Sequence, residues 1–153
     1  MAKTTDDPVA FRFFNEIGII EQLARALLER NLPDGLKISQ FSVLNHLARA
    51  GERGEEDWGP ARLASAFQVT KGAMTNTLQR LENRGLVLIQ ADPRDGRGKH
   101  VSITDAGRIM RGRCVENVGP LLGQLSREVS DEDFAAALPF LEKIRIYLDS
   151  HRS

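Results

Sequence analysis

Between Thr70 and Arg84 the apolar residues Met74, Leu78 and Leu81 recur at spacings of four and three, which is one face of a helix. The outward side then carries Lys71, Gly72, Thr75, Asn76 and Gln79, with Thr70 at the helix entry and Arg80 beside them. These are short or flexible hydrogen-bonding residues, most of them in the first half of one helix. Asn and Gln can grip the edge of an adenine with two bonds, Thr can bond a base or pack a thymine methyl, and Lys can reach guanine or phosphate. A glycine among them lets the backbone come close to whatever is read. A plain solvated face is the simpler account of a polar helix surface, and the residues that follow argue against it.

Those residues form a second cluster of cations. Arg94, Arg97 and Lys99 lie in Asp92-Pro-Arg-Asp-Gly-Arg-Gly-Lys99, where Pro and Gly enforce a tight loop. An arginine at a narrow tip suits the electronegative minor groove of DNA. Asp92 and Asp95 are expected to be internal partners that orient these arginines.

The flanking segments say what must position both clusters. Gly59-Pro60 suits a helix start, with Gly as cap and Pro in the first turn, so a short helix is predicted over Pro60–Phe67. A turn at Gln68-Val69 follows, then the helix from Thr70, which ends at Gly85. Apolar Leu86 to Gln90 reads as a strand, Asp92 to Lys99 as a charged tip and Val101 to Ile103 as the returning strand. Helix, turn, helix and a two-stranded wing is the order of a winged helix-turn-helix, which places one helix in a major groove and a basic loop near a minor groove.

The run from Leu63 through Thr70-Lys-Gly-Ala-Met-Thr-Asn to Leu86, the Asp92-Pro-Arg-Asp-Gly-Arg97 tip and Ile103-Thr-Asp-Ala-Gly107 together resemble the MarR family (multiple antibiotic resistance regulators) over essentially the whole chain. The resemblance implies an obligate, triangular homodimer that binds a pseudo-palindromic operator in double-stranded DNA, with Arg94 as the minor-groove residue and Asp92 helping to place it. It also implies a pocket for a small-molecule effector, for which His46 and Met110 are the candidate lining. Two departures stand out. The turn has Gln68 where the family often has Gly, and the first helix lacks the cysteine at which the family's peroxide sensors react.

The bulk composition is that of an ordinary globular chain, with 41% hydrophobic and 27% charged residues. Net charge is zero, from 21 cationic and 21 acidic residues. The distribution is uneven: Thr70 to Arg113 holds nine Lys/Arg against four Asp/Glu, a local excess of the kind phosphate binding needs. No apolar run is long enough for a membrane helix and the first residues have no signal-like apolar core, so a cytoplasmic protein without a membrane partner is expected. The single cysteine, Cys114, rules out an intrachain disulfide and a cysteine-cluster metal site. It reads most simply as a small buried residue, and alternatively as a redox thiol whose pKa Arg111 and Arg113 would lower. His46, His100 and His151 are scattered and no catalytic spacing appears, so neither an enzyme nor a bound cofactor is expected.

Around the central motif the chain is helical. Val9, Phe13, Ile17, Ile20, Ala24 and Leu27 mark a long amphipathic helix ending at Asn31-Leu-Pro-Asp-Gly35, and a second helix is expected after Ser39, closing at Gly51. Trp58 is expected to be a short strand or an anchor. Helices after Thr104 and after Ser130 complete the chain, with Pro120 expected to kink the first of them. Phe11, Phe13 and Phe14 at one end, and Phe134, Leu138, Leu141, Ile144 and Tyr147 at the other, offer more apolar surface than two flanking helices need, which points to a dimer interface. The expected organisation is a single mainly α domain over 1–153. A winged helix-turn-helix lobe with a small antiparallel hairpin spans 36–104, and a helical dimerisation region spans 8–31 and 105–150. The expected function is a DNA-binding transcriptional regulator, a repressor that a small effector relieves. The alternatives are a winged-helix protein-interaction module without DNA binding, which the neutral charge would suit, or a thiol-based regulator.

Overall fold

The computed structural model describes residues 7–92, 94, 96 and 98–152. The order of elements is α1 (Val9–Asn31), a 3-10 turn (Pro33–Gly35), α2 (Ile38–Glu52), α3 (Pro60–Phe67), α4 (Lys71–Asn83), β1 (Val87–Ala91), β2 (Lys99–Ile103), α5 (Asp105–Leu125) and α6 (Asp131–Ser150). The chain divides into two compact units, one up to Asn117 and one from Val118 onward.

In the first unit α2, α3, α4 and the hairpin close over one apolar core. Leu44, Leu63, Leu78, Leu81 and Cys114 are all but inaccessible. Met74, Leu78 and Leu81 are the buried residues of α4, the three that its periodicity turns inward. The α2 start differs from expectation. The helix begins at Ile38 because buried Gln40, not Ser39, satisfies the free amide of Lys37, its side-chain oxygen accepting at 3.0 Å.

β1 and β2 pair antiparallel, Val87 opposite Ile103 and Ala91 opposite Lys99. Two glycines allow this ribbon to be packed tightly. A Cβ on Gly59 would stand 2.7 Å from the Lys99 carbonyl oxygen. A Cβ on Gly107, in the first turn of α5, would run into the Leu86 carbonyl oxygen and stand 2.7 Å from Ile103 Cγ1. The Ile-Thr-Asp-Ala-Gly segment thus has a mechanical reason. Thr104 donates its hydroxyl to the Gly85 carbonyl at 2.7 Å and accepts from the Gly107 amide at 3.0 Å, capping α5 while tying it to the end of α4.

Trp58 is an anchor outside any strand: its ring is buried, and its carbonyl accepts from the Val101 amide at 2.7 Å. Gln68, in the turn of the helix pair, sits in the left-handed region at φ 53°, a conformation that glycine adopts without penalty and that explains the residue type expected there.

α1 contains no buried residue. Phe11 and Phe14 are exposed, and Phe13 is half-buried. The second unit holds the end of α5, a turn and α6, whose first turn is acidic and whose Ser130 hydroxyl accepts from the Asp133 amide at 3.1 Å. α6 likewise has no buried residue. Phe134, Leu138, Leu141 and Tyr147 are exposed, and Ile144 is half-buried. α5 runs on through Pro120 as one helix, and α6 also contains a proline, Pro139, that the periodicity did not single out. Among the described residues no helix is long and apolar enough to cross a membrane.

Candidate nucleic-acid interface

The outward face of α4 is presented as its sequence suggests. Lys71, Gly72, Thr75, Asn76, Gln79 and Arg80 are all exposed. Thr70 is the N-cap, its hydroxyl oxygen accepting from the Ala73 amide at 3.1 Å, so its part is first to start the helix. The Thr75 hydroxyl donates to the Lys71 carbonyl at 2.8 Å. That spends its proton inside the helix and leaves its methyl and lone pairs for an outside partner.

The structure brings a subset of these residues together with the wing. Lys71, Thr75 and Gln79 of α4 and Lys99 of β2 line a groove of about 770 Å³, with Gly59, Pro60 and Ala61 at one side. Gly72, Asn76 and Arg80 stand elsewhere on α4, and they and the N-cap Thr70 lie outside that groove. Arg94 is exposed beyond the strands. Arg97 and Asp95 lie outside the described residues.

Asp92 departs from expectation in how it acts. Its Oδ1 accepts from the Arg94 backbone amide at 2.9 Å, so it shapes the turn that carries Arg94, a local Asp-to-backbone turn. Its own amide bonds the Gly98 carbonyl at 2.9 Å, extending the ladder one step past the strands.

His46 and Met110 are not brought to the groove. Met110 is buried in the core. The His46 ring stands edge-on to Trp58, with centroids 4.2 Å apart, and to Phe67 at 5.4 Å, while the Arg62 guanidinium lies 3.9 Å over the Trp58 ring. His46 Nε2 is buried without a partner. Burial, and secondarily the charge of Arg53, hold the imidazole below its ordinary pKa.

Cys114 is fully buried, and that burial pushes its thiol pKa up, outweighing the opposing pull of Arg113. The two arginines expected to activate it are engaged elsewhere, Arg113 with Asp34 and Arg111 with Asn45. A protonated, inaccessible thiol is a packing residue.

One residue with a structural hold on the site escaped the periodicity: Glu82 lines the groove and accepts from the Ile89 amide. Trp58, expected as a strand or an anchor, and Gly59, expected as a helix cap, dock the other strand.

A helix pair with an exposed polar second helix, followed by a ribbon docked beside it, defines a winged helix-turn-helix protein. The chain is similar to the MarR family of such regulators. The family's model matches residues 34–98. Among solved structures, apo MarR from E. coli is 27% identical over 90% of this chain and 96% of that one, with a TM-score of 0.71. A mutant MarR from E. coli complexed with operator DNA is 27% identical over 87% of this chain and 93% of that one, also at 0.71. The transcriptional regulator BldR from Sulfolobus solfataricus is 25% identical over 90% and 95%, at 0.77. The curated proteins contain no match to the chain.

Proposed function

We propose that the chain is a cytoplasmic repressor that binds a pseudo-palindromic operator in double-stranded DNA as a homodimer and is released by a small effector. The observation that carries DNA binding is the groove at which Lys71, Thr75 and Gln79 of one helix meet Lys99 of the wing. Base-reading and phosphate-binding side chains converge there, on a helix of the kind that enters a major groove and on the strand beside it. The solved complex of an E. coli MarR with operator DNA supports the same reading.

Pairing is supported by the two apolar helices. Phe11 is 63% and Tyr147 61% exposed in the single chain, on helices without one buried residue. Such surface is stable in water when another copy covers it. Two copies also set two recognition helices about one helical turn apart, roughly 34–36 Å, to read successive major grooves. An effector that prefers a different separation of those helices would lower operator affinity by that difference in preference.

The test is a gel shift on the DNA upstream of the protein's own gene, repeated at rising salt. Wild type is expected to bind with a steep salt dependence. Arg94→Ala is expected to weaken binding about tenfold to a hundredfold, with the dimer intact by light scattering. Binding by wild type with no salt dependence, or no binding at all, would favour a protein-interaction module.

A further inference from the structure

Among the described residues the wing has two strands, so each has an outer edge that no third strand pairs. Where Ile89 faces Val101, both amides bond outside the ladder. Val101 donates to the Trp58 carbonyl at 2.7 Å, and Ile89 donates to Glu82 Oε2 at 3.1 Å. One edge of the ribbon is thereby stitched to the lead-in of α3 and the other to the last turn of α4.

Two electrostatic preferences oppose a carboxylate at position 82. The last turn of a helix is the negative end of its dipole, where cations are favoured. The residue also lines the groove beside Lys71, Gln79 and Lys99, on the face where phosphates would approach. What the position gains is a charge-assisted bond to an edge amide that the sheet cannot satisfy.

We infer that Glu82 is a positioning residue: through the Ile89 amide it sets where the wing, and Arg94 with it, stands relative to the recognition helix. This rests on the DNA-binding reading above. It adds that the acidic side chain in an otherwise basic groove is kept for geometry at some expense in charge.

The experiment uses the full-length protein as wild type, Glu82→Ala and Glu82→Gln, each with and without Arg94→Ala. The probe is the duplex that wild type selects from a random-sequence library. In the free protein, Glu82→Ala is expected to speed amide exchange at Ile89 about tenfold. Glu82→Gln, which keeps an accepting oxygen, should stay near wild type. On DNA, Glu82→Ala is expected to weaken binding about tenfold, and adding Arg94→Ala should cost little more, because a displaced wing no longer delivers that arginine. Glu82→Gln should bind at least as tightly as wild type, with a steeper salt dependence and its reliance on Arg94 intact. General destabilisation would instead make the losses add and would be read in the melting temperature. Unchanged exchange at Ile89 in Glu82→Ala, or full additivity with Arg94→Ala, overturns the inference. If wild type selects no duplex, the DNA reading falls, and the exchange measurement alone still decides whether Glu82 holds the wing.

Discussion

Arg113 of α5 grips the carboxylate of Asp34 with two nitrogens, at 2.7 and 3.3 Å, across 79 residues of sequence. Asp34 lies in the 3-10 turn between α1 and α2 at φ 55°, and its carbonyl accepts from Arg84, the residue capping the C-terminus of α4, at 3.1 Å. One strained turn therefore joins the end of α1, the end of α4 and α5. The Arg113 hydrogen bond holds the Asp34 carboxyl below its ordinary pKa of 3.8. The contribution is present above 3.8 and is lost as pH falls through the lower folded value. Asp34→Asn, which tolerates the left-handed backbone, is expected to remove that acid-side step and to lower the melting temperature slightly, less so at high salt. Asp34→Ala should lose more, because it adds backbone strain. Equal losses in the two variants would show that the turn is not strained.

Gly107 has no room for a methyl group, because Leu86 and Ile103 occupy that space. Gly107→Ala must separate α5 from the hairpin. The expected loss is about 3 kcal/mol or more, or roughly 6–12 °C in Tm at fixed protein concentration. Gly112, with nothing within 4 Å, is the control, and Gly112→Ala should be neutral or mildly stabilising.

Gln68 at φ 53° is expected to accept glycine without loss. Relief of the left-handed backbone, about 1 kcal/mol, offsets the extra freedom glycine gives the unfolded chain. Gln68→Val, β-branched at a positive φ, should lose about 1–2 kcal/mol by denaturant titration. Equal stability of the two variants would contradict the turn geometry.

His46 gives a second pH dependence, of opposite chemical origin. Its folded pKa is depressed by burial, so the neutral ring is the native form. Stability is complete above the unfolded pKa of 6.5 and falls as pH drops from 6.5 toward the lower folded value. The groups that face it electrostatically are Arg53, Glu55 and Arg62. A melting series across this range should show a fall in wild type that His46→Gln lacks. Parallel curves for the two proteins would remove His46 as its source.

The local pattern carried much of this molecule. Gly59-Pro60 marks the start of α3, Thr70 caps α4, and Met74, Leu78 and Leu81 lie on its buried face. Ser39 misled, because the α2 cap is made by a side chain three residues into the helix, and a hydroxyl next to an apolar run looks the same in sequence whether or not it caps. Asp92 was legible as a wing-shaping residue. That it works through the Arg94 amide could not be read from its charge.

By itself the sequence determined what period and chemistry can encode: which helix faces are apolar, which face could read bases, and where glycine and proline punctuate the chain. Those properties depend on neighbours a few residues away. The tertiary structure decided what depends on distant chain segments meeting: Glu82 under the Ile89 amide, the Trp58 carbonyl on Val101, Asp34 between Arg84 and Arg113, and the burial that makes Cys114 inert. An exposed glutamate or a lone cysteine looks the same in sequence wherever the fold puts it. Only packing decides which amide is left unpaired and which thiol is left dry.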